Sequence, residues 1–300
     1  MNIVMRRLGF WLLLCVGLLL QAQASAEQRA PFYKAERQGQ VVYVLGTLHV
    51  GRPDFYPLRP AIETALEKSA RLYLEIDHGE AGVAQKVAQA MLCDRPCLKE
   101  ALSAPEWNTL ADRLGRQEAA LRTLENMQPW AAAIVLTIAD FTAMGLSAEH
   151  GVEHYLSARP GKGRQTIGLE SAEEQIRLFT EMAPAEQKEM LVQWLNMPVR
   201  ERLDTSRELV ERWEAGDAEA LHTWYKRMEK RYSSSPAIAE SFDRKFLIAR
   251  NRFFVERLLA QAGSTRGPFF LAVGALHLGG QEGVLTGQSG RIVLSGEAQI

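Results

Sequence analysis

The chain is poor in cysteine, with three in 300 residues, and that scarcity rules out an all-thiolate metal site, which needs four. It also lacks an excess of either charge: 35 basic residues stand against 36 acidic ones. With no dense basic run either, there is no footprint for nucleic acid, and no such partner is expected. No low-complexity linker divides the chain, and apart from one echoed motif it has no internal repeat. Nor does its leading apolar run, Leu8 to Leu20, reach the roughly 20 residues that a bilayer-spanning helix needs.

What that run has is a neighbourhood. Arg6 and Arg7 precede it and Ala24-Ser25-Ala26 follow it, the three-part layout of a secretory signal peptide cleaved before Glu27. An uncleaved anchor is the competing reading. Residues 1–26 are therefore expected to be removed, leaving an exported, periplasmic protein with no stable membrane span. Arg6 and Arg7 are the leader's only charges, so 33 basic residues remain against 36 acidic ones, a net charge of −3. Residues 27–300 are enough for a single large domain. Cys15 leaves with the leader. Cys93 and Cys97, close together around a proline, are expected to form a local disulfide in an oxidising compartment, with a metal pair as the alternative.

Short apolar strands are separated by long helical stretches. PFYKAER and VVYVLGTLH flank QGQ as a hairpin; RLYLEID, GRQTIGLES, PFFLAVGALH and RIVLS read as further strands. Pro105 and Pro129 sit where first-turn prolines belong. PWAAAIVLTIADFTAMG is apolar almost all round but short and interrupted by Asp140, so it reads as a buried helix. Gln281 to Gly287 is expected to be helical. The pattern predicts an α/β fold, a central sheet with helices on both faces and a large helical insertion or cap over about 80–160 and 172–263.

The echoed motif is GTLHVG and GALHLG, each closing an apolar strand. Four strands end in polar residues: His49, Glu75 with Asp77, Glu170, and His277. In open α/β sheets the ligand crevice lies beyond the carboxyl ends of the strands, so these side chains are expected to converge. Glycine three residues before each histidine allows either an unusual backbone turn or a close approach. Imidazole with carboxylate suits Zn, Mn or Co, and water activated there is a nucleophile near neutral pH. Each residue also has a plain role: a hydrogen-bonded histidine, or a carboxylate that caps the next helix. On strand alternation Glu75 and Asp77 face the same side. His78, His150, His154 and His222 are expected to be exposed.

GTLHVG, LYLEID, GLESAEEQ, LIARNRF and AVGALHLGG, with MQPWAAA and GVEHYL, resemble the TraB/PrgY/GumN family in order and across nearly the whole mature chain. The resemblance implies a link to the TIKI metalloproteases and to the erythromycin-esterase and ChaN-like folds, with a pocket at the paired motifs. It assigns His49, His277 and Glu75 as metal ligands or catalytic groups, Glu170 as a later acidic position, and Arg250 with Asn251 as a helical pair. Arg250 is then either a clamp for a carboxylate or an ion pair within its own helix. The expected function is metal-dependent hydrolysis of a peptide, with Mn, Co or Zn. A non-catalytic binding protein for a peptide or small ligand is the alternative, and metal-free ester hydrolysis a third.

Overall fold

The structure, a computed structural model, describes residues 30–37, 40–77, 79, 82–159, 161, 163–262 and 267–285. The expected signal peptide, His78 and the RIVLS strand lie outside these residues. Five strands form one sheet: β1 (Phe32–Arg37), β2 (Gln40–Thr47), β3 (Arg71–Leu74), β4 (Gln165–Gly168) and β5 (Phe269–Gly274), in the order β1-β2-β5-β3-β4. β1 and β2 pair antiparallel, from Phe32 opposite Leu45 to Arg37 opposite Gln40, which is the hairpin read around QGQ. The other pairs are parallel.

Helix α1 (Pro60–Lys68) joins β2 to β3. A first helical excursion then runs through α2 (Val83–Ala90), α3 (Cys97–Ala101), α4 (Ala104–Arg113), α5 (Glu118–Glu125), α6 (Pro129–Ala143) and α7 (Val152–Ser157) before β4. A second runs through α8 (Ala172–Thr180), α9 (Pro184–Asn196), α10 (Val199–Ala215), α11 (Ala218–Tyr232) and α12 (Pro236–Phe242). It continues through a π-helical segment (Asp243–Ile248) and α13 (Ala249–Ala262) to β5.

β5 sits at the centre of the sheet, and FFLAV is apolar throughout because both of its faces are covered. Phe270 and Ala272 pack with α1, α7, α10 and α11 on one face, around Ile62, Val152, Trp213 and Leu221. Phe269, Leu271 and Val273 pack with Phe254 and Leu258 of α13 on the other. The α/β class with helices on both faces is therefore what the chain adopts. The two excursions meet in a third core, where Leu98, Leu110 and Leu136 pack with Leu191 and Leu195.

Helix α6 is buried over Pro129–Ala133, while Ile138 is 39% exposed. Asp140 accepts from Arg202 and from the Trp194 indole, at 2.9 and 2.8 Å. No helix among the described residues is long and apolar enough to cross a membrane. Cys93 stands at disulfide distance from Cys97, the first residue of α3. Among the described residues the expected helix from Gln281 is not formed: Gln281–Leu285 makes turns, and 286–287 lie outside the described residues. There Val284 N–H is taken by the His277 carbonyl at 2.8 Å and Leu285 N–H by that of Leu278 at 3.4 Å, a pattern incompatible with i→i−4 bonding.

Candidate functional site

The four parallel strands run the same way, so their carboxyl ends share one edge of the sheet. Across that edge, in sheet order, follow His49 after β2, His277 after β5, Glu75 after β3 and Glu170 after β4. The glycines of the echoed motifs make this convergence possible. A Cβ on Gly46 would come within 3.0 Å of the Ala275 backbone, and one on Gly274 would meet Glu75 Oε1 at 3.2 Å, His277 Cδ2 at 3.4 Å and His49 Nε2 at 3.9 Å. Neither glycine has a positive φ. The motif needs glycine for close approach, not for an unusual turn.

Glu75 and Glu170 are set side by side because the β3–β4 pairing continues beyond the strands: Leu169 N–H bonds Leu74 O and Glu170 N–H bonds Glu75 O, both at 2.8 Å. Ser171, not Glu170, caps α8, with Glu174 as its reciprocal partner. The Glu170 carboxylate is thereby free to face the site. Arg250 of α13 bridges the two carboxylates. Its Nη2 reaches Glu75 Oε2 at 2.6 Å and also Glu170 Oε1, and its Nε reaches Glu170 Oε2 at 3.2 Å. It is therefore a link between elements rather than an ion pair within its helix. Gln175 of α8 adds a donor to Glu170 at 3.0 Å, and Gly274 N–H donates to Glu75 Oε1 at 2.7 Å. Burial opposes ionisation of Glu75, but the facing imidazoles, Arg250 and the Gly274 N–H outweigh it and hold its carboxyl well below the usual range. At Glu170 burial prevails over Arg250 and pushes the carboxyl up.

The two histidines are held in opposite charge states. His277 is 5% exposed, with Nδ1 2.6 Å from Asn251 Oδ1. Asn251 Nδ2 donates to Glu282 O at 2.8 Å, which orients the amide and so places the hydrogen on His277 Nδ1. The remaining Nε2 lone pair receives Arg250 Nη1 at 3.2 Å and lies 3.6 Å from Glu75 Oε1. Burial pulls His277 down to about 4, so it is neutral at pH 7. His49 is its converse, with a side chain 71% exposed and Nδ1 3.1 Å from Glu153 Oε1. The Glu153 carboxylate raises it to about 9, although solvent around so exposed a ring weakens that pull.

Glu153 escaped the sequence reading. It lies within helical GVEHYL, yet it is 4% exposed and accepts from the Thr47 hydroxyl as well as from His49. Paired Gly51–Ser147 backbone bonds at 2.9 and 2.8 Å, and Val152 N–H to Leu48 O at 2.9 Å, tie the start of α7 beneath His49. Asp77 does not share the site as expected. β3 ends at Leu74, so strand alternation does not extend to it, and its carboxylate accepts from Gly79 N–H at 2.9 Å. His154 is exposed as expected, whereas His150 and His222 are half-buried. His222 lies against Gly279 and Gly280, whose lack of side chains lets its ring in.

His49, Glu75 and Glu153 each offer one ligand atom, and these atoms lie within 4.8 Å of one another. Among the described residues this is the group that could hold a metal ion, and His277 stands beside it. Its donor set fits a divalent ion of the imidazole-and-carboxylate class. Three carboxylates against Arg250 leave two negative charges when both imidazoles are neutral, which such an ion would offset.

A model of the TraB/PrgY/gumN family matches residues 31–287. Among curated proteins, the chain is 26% identical over 142 residues to the uncharacterized protein YbaP of Escherichia coli K12 and to that of Shigella flexneri. Each alignment covers 47% of this chain and 52% of the relative, so the chain spans about half the length of the curated relatives it matches. No solved structure matches.

Proposed function

The chain belongs to the TraB/PrgY/gumN family, and from that premise we propose that it is an exported, divalent-metal-dependent hydrolase acting on a peptide bond at the carboxyl edge of its sheet. The observation that carries the reading is the compact His49, Glu75 and Glu153 group beside a neutral His277 and a clamped Arg250. His49, Glu75 and Glu153 would hold the ion, with Mn, Co or Zn matching the donors. When bound, such an ion polarises the scissile carbonyl and makes water a competent nucleophile.

The chain's own groups supply the rest. Asn251 keeps the proton on His277 Nδ1, so Nε2, which accepts from Arg250 Nη1, is the nitrogen that would take a proton at the reacting centre in exchange for that bond. Arg250, fixed on Glu75 and Glu170, holds the two carboxylates in place beside the reacting centre. Gly274 lets Glu75 and both histidines close on its backbone, where a side chain would crowd them.

The test is cleavage of a broad peptide mixture by the mature protein and by His49→Ala and His277→Ala. Each substitution should lower turnover at least about a hundredfold, the scale of one lost proton-transfer or electrostatic group, with the circular dichroism unchanged. A folded protein whose peptide cleavage ignores both substitutions and a chelator contradicts the reading. Stoichiometric peptide binding without turnover would favour the sequestering alternative.

A further inference from the structure

Four aromatic rings stand outside the three apolar cores and run from the helical excursions toward the candidate site. Trp130 of α6 is 3% exposed and stacks on Phe179 of α8 with centroids 4.8 Å apart. Phe179 meets Phe246 of the π-helical segment at 5.0 Å, and Phe246 meets Phe242 edge-on at 6.0 Å. None of the four belongs to the core clusters on the sheet faces or between the excursions. Phe179, Phe242 and Phe246 keep part of their surface open. The Trp130 indole N–H has no acceptor among the described residues, so this ring serves through its face rather than its donor.

The row is tied to the polar site at two points. Phe179 follows Gln175 by four residues on α8. Phe246 precedes Arg250 by four, and its carbonyl accepts from Arg250 Nη1 at 3.5 Å. Each ring therefore belongs to a residue one helical turn, about 6 Å of axial rise, from a residue whose side chain grips Glu75 or Glu170. Two separate helical elements repeat the same step from polar to aromatic, and their rings touch. Side chains on one face of an extended peptide recur at about 6.6 Å. A peptide with its scissile carbonyl beside Glu75 and Arg250 would bring the side chain two positions away toward Phe179 and Phe246.

We propose that this aromatic row is a specificity subsite, selecting a large apolar or aromatic residue two positions from the cleaved bond. The inference rests on the peptide-hydrolase reading and names its substrate class. A substrate ring would extend the offset and edge-on pairing already present, and one such pair gives about tenfold discrimination against alanine.

Two measurements separate this inference from its premise. In the first, the Mn-supplemented mature protein cleaves a fully randomised end-blocked decapeptide library, and mass spectrometry maps the cut sites. In the second, binding of an end-blocked alanine-rich hexapeptide carrying one Phe is compared with that of its all-alanine counterpart. Both are repeated with Phe179→Ala and with the milder Phe246→Leu. The expected result is about a tenfold preference for Phe, Tyr or Leu at that position, in cleavage and in binding, which both variants reduce while alanine-containing peptides are cut as before. Cleavage without the preference, or with a preference that both variants retain, overturns the subsite and leaves the hydrolase reading standing. Binding that shows the preference without any cleavage keeps the subsite and overturns the hydrolase. Failure to bind or cleave either peptide overturns both.

Discussion

Arg250 ties two buried carboxylates, and its loss has a consequence that can be read from charge alone. Glu75 and Glu170 are 4% and 5% exposed, so Arg250→Ala leaves uncompensated charge in a dry setting, at a cost of about 3–5 kcal/mol. Glu75 is depressed below its ordinary 4.5 in the folded chain, so its contribution is present above that value and is lost as pH falls beneath it. The gap between wild type and Arg250→Ala in a urea melt should therefore be widest near pH 7 and narrow progressively as pH falls below 4.5. A gap that widens on acidification would show that Arg250 does not compensate these carboxylates. At this scale His49, Glu75, Glu170, Arg250 and His277 were all legible as polar residues closing apolar strands or as family matches. Glu153 was not. Its role depends on a loop returning beneath His49, held by Gly51–Ser147 and Leu48–Val152 backbone bonds, and nothing in the periodicity of GVEHYL distinguishes it from its exposed neighbour His154.

The paired Gly-x-x-His motifs act as structural elements before they act as chemistry. Each glycine lies where a Cβ would strike the other motif or the shared carboxylate, so the two strand ends interlock. Gly274→Ala puts a methyl 3.2 Å from Glu75 Oε1. It should cost about 1–3 kcal/mol of stability by overpacking and depress cleavage more than it depresses the melting temperature of the scaffold would explain. Unchanged turnover in a folded Gly274→Ala protein would mean that this close approach has no role. The strands were readable because their apolar runs and β-branched content are strong local signals. Elements beyond strand ends were not: alternation extrapolated to Asp77 failed where β3 stops at Leu74, and the Gln281 segment spends its backbone bonds on the preceding motif instead of forming a helix.

On the scale of the whole molecule, a late strand enters the middle of the sheet and brings the second motif beside the first, across 200 residues of mostly helical chain. The sheet, its parallel order and the two helical excursions follow from strands spaced by helices. The antiparallel edge follows from the QGQ turn. What periodicity could not give is which strand lies beside which, because pairing is a long-range choice that local pattern does not encode. The proposed export is tested at this scale too: N-terminal sequencing of the protein from a periplasmic extract should begin at Glu27, and a retained leader would argue for an anchored form.

If His49, Glu75 and Glu153 hold one divalent ion, calorimetric titration of chelator-stripped protein with Mn, Co and Zn will reveal it. Because Glu153 raises His49 to about 9, the ion must displace a proton from His49 below that pH. Apparent affinity should therefore climb from pH 7 toward 9, by less than the full tenfold per unit because the ring is 71% exposed. The expected result is one ion per chain, weakened at least about tenfold by Glu153→Gln, the scale of a lost metal-site partner, and by His49→Ala. Binding that is absent, or that ignores both substitutions, would contradict it.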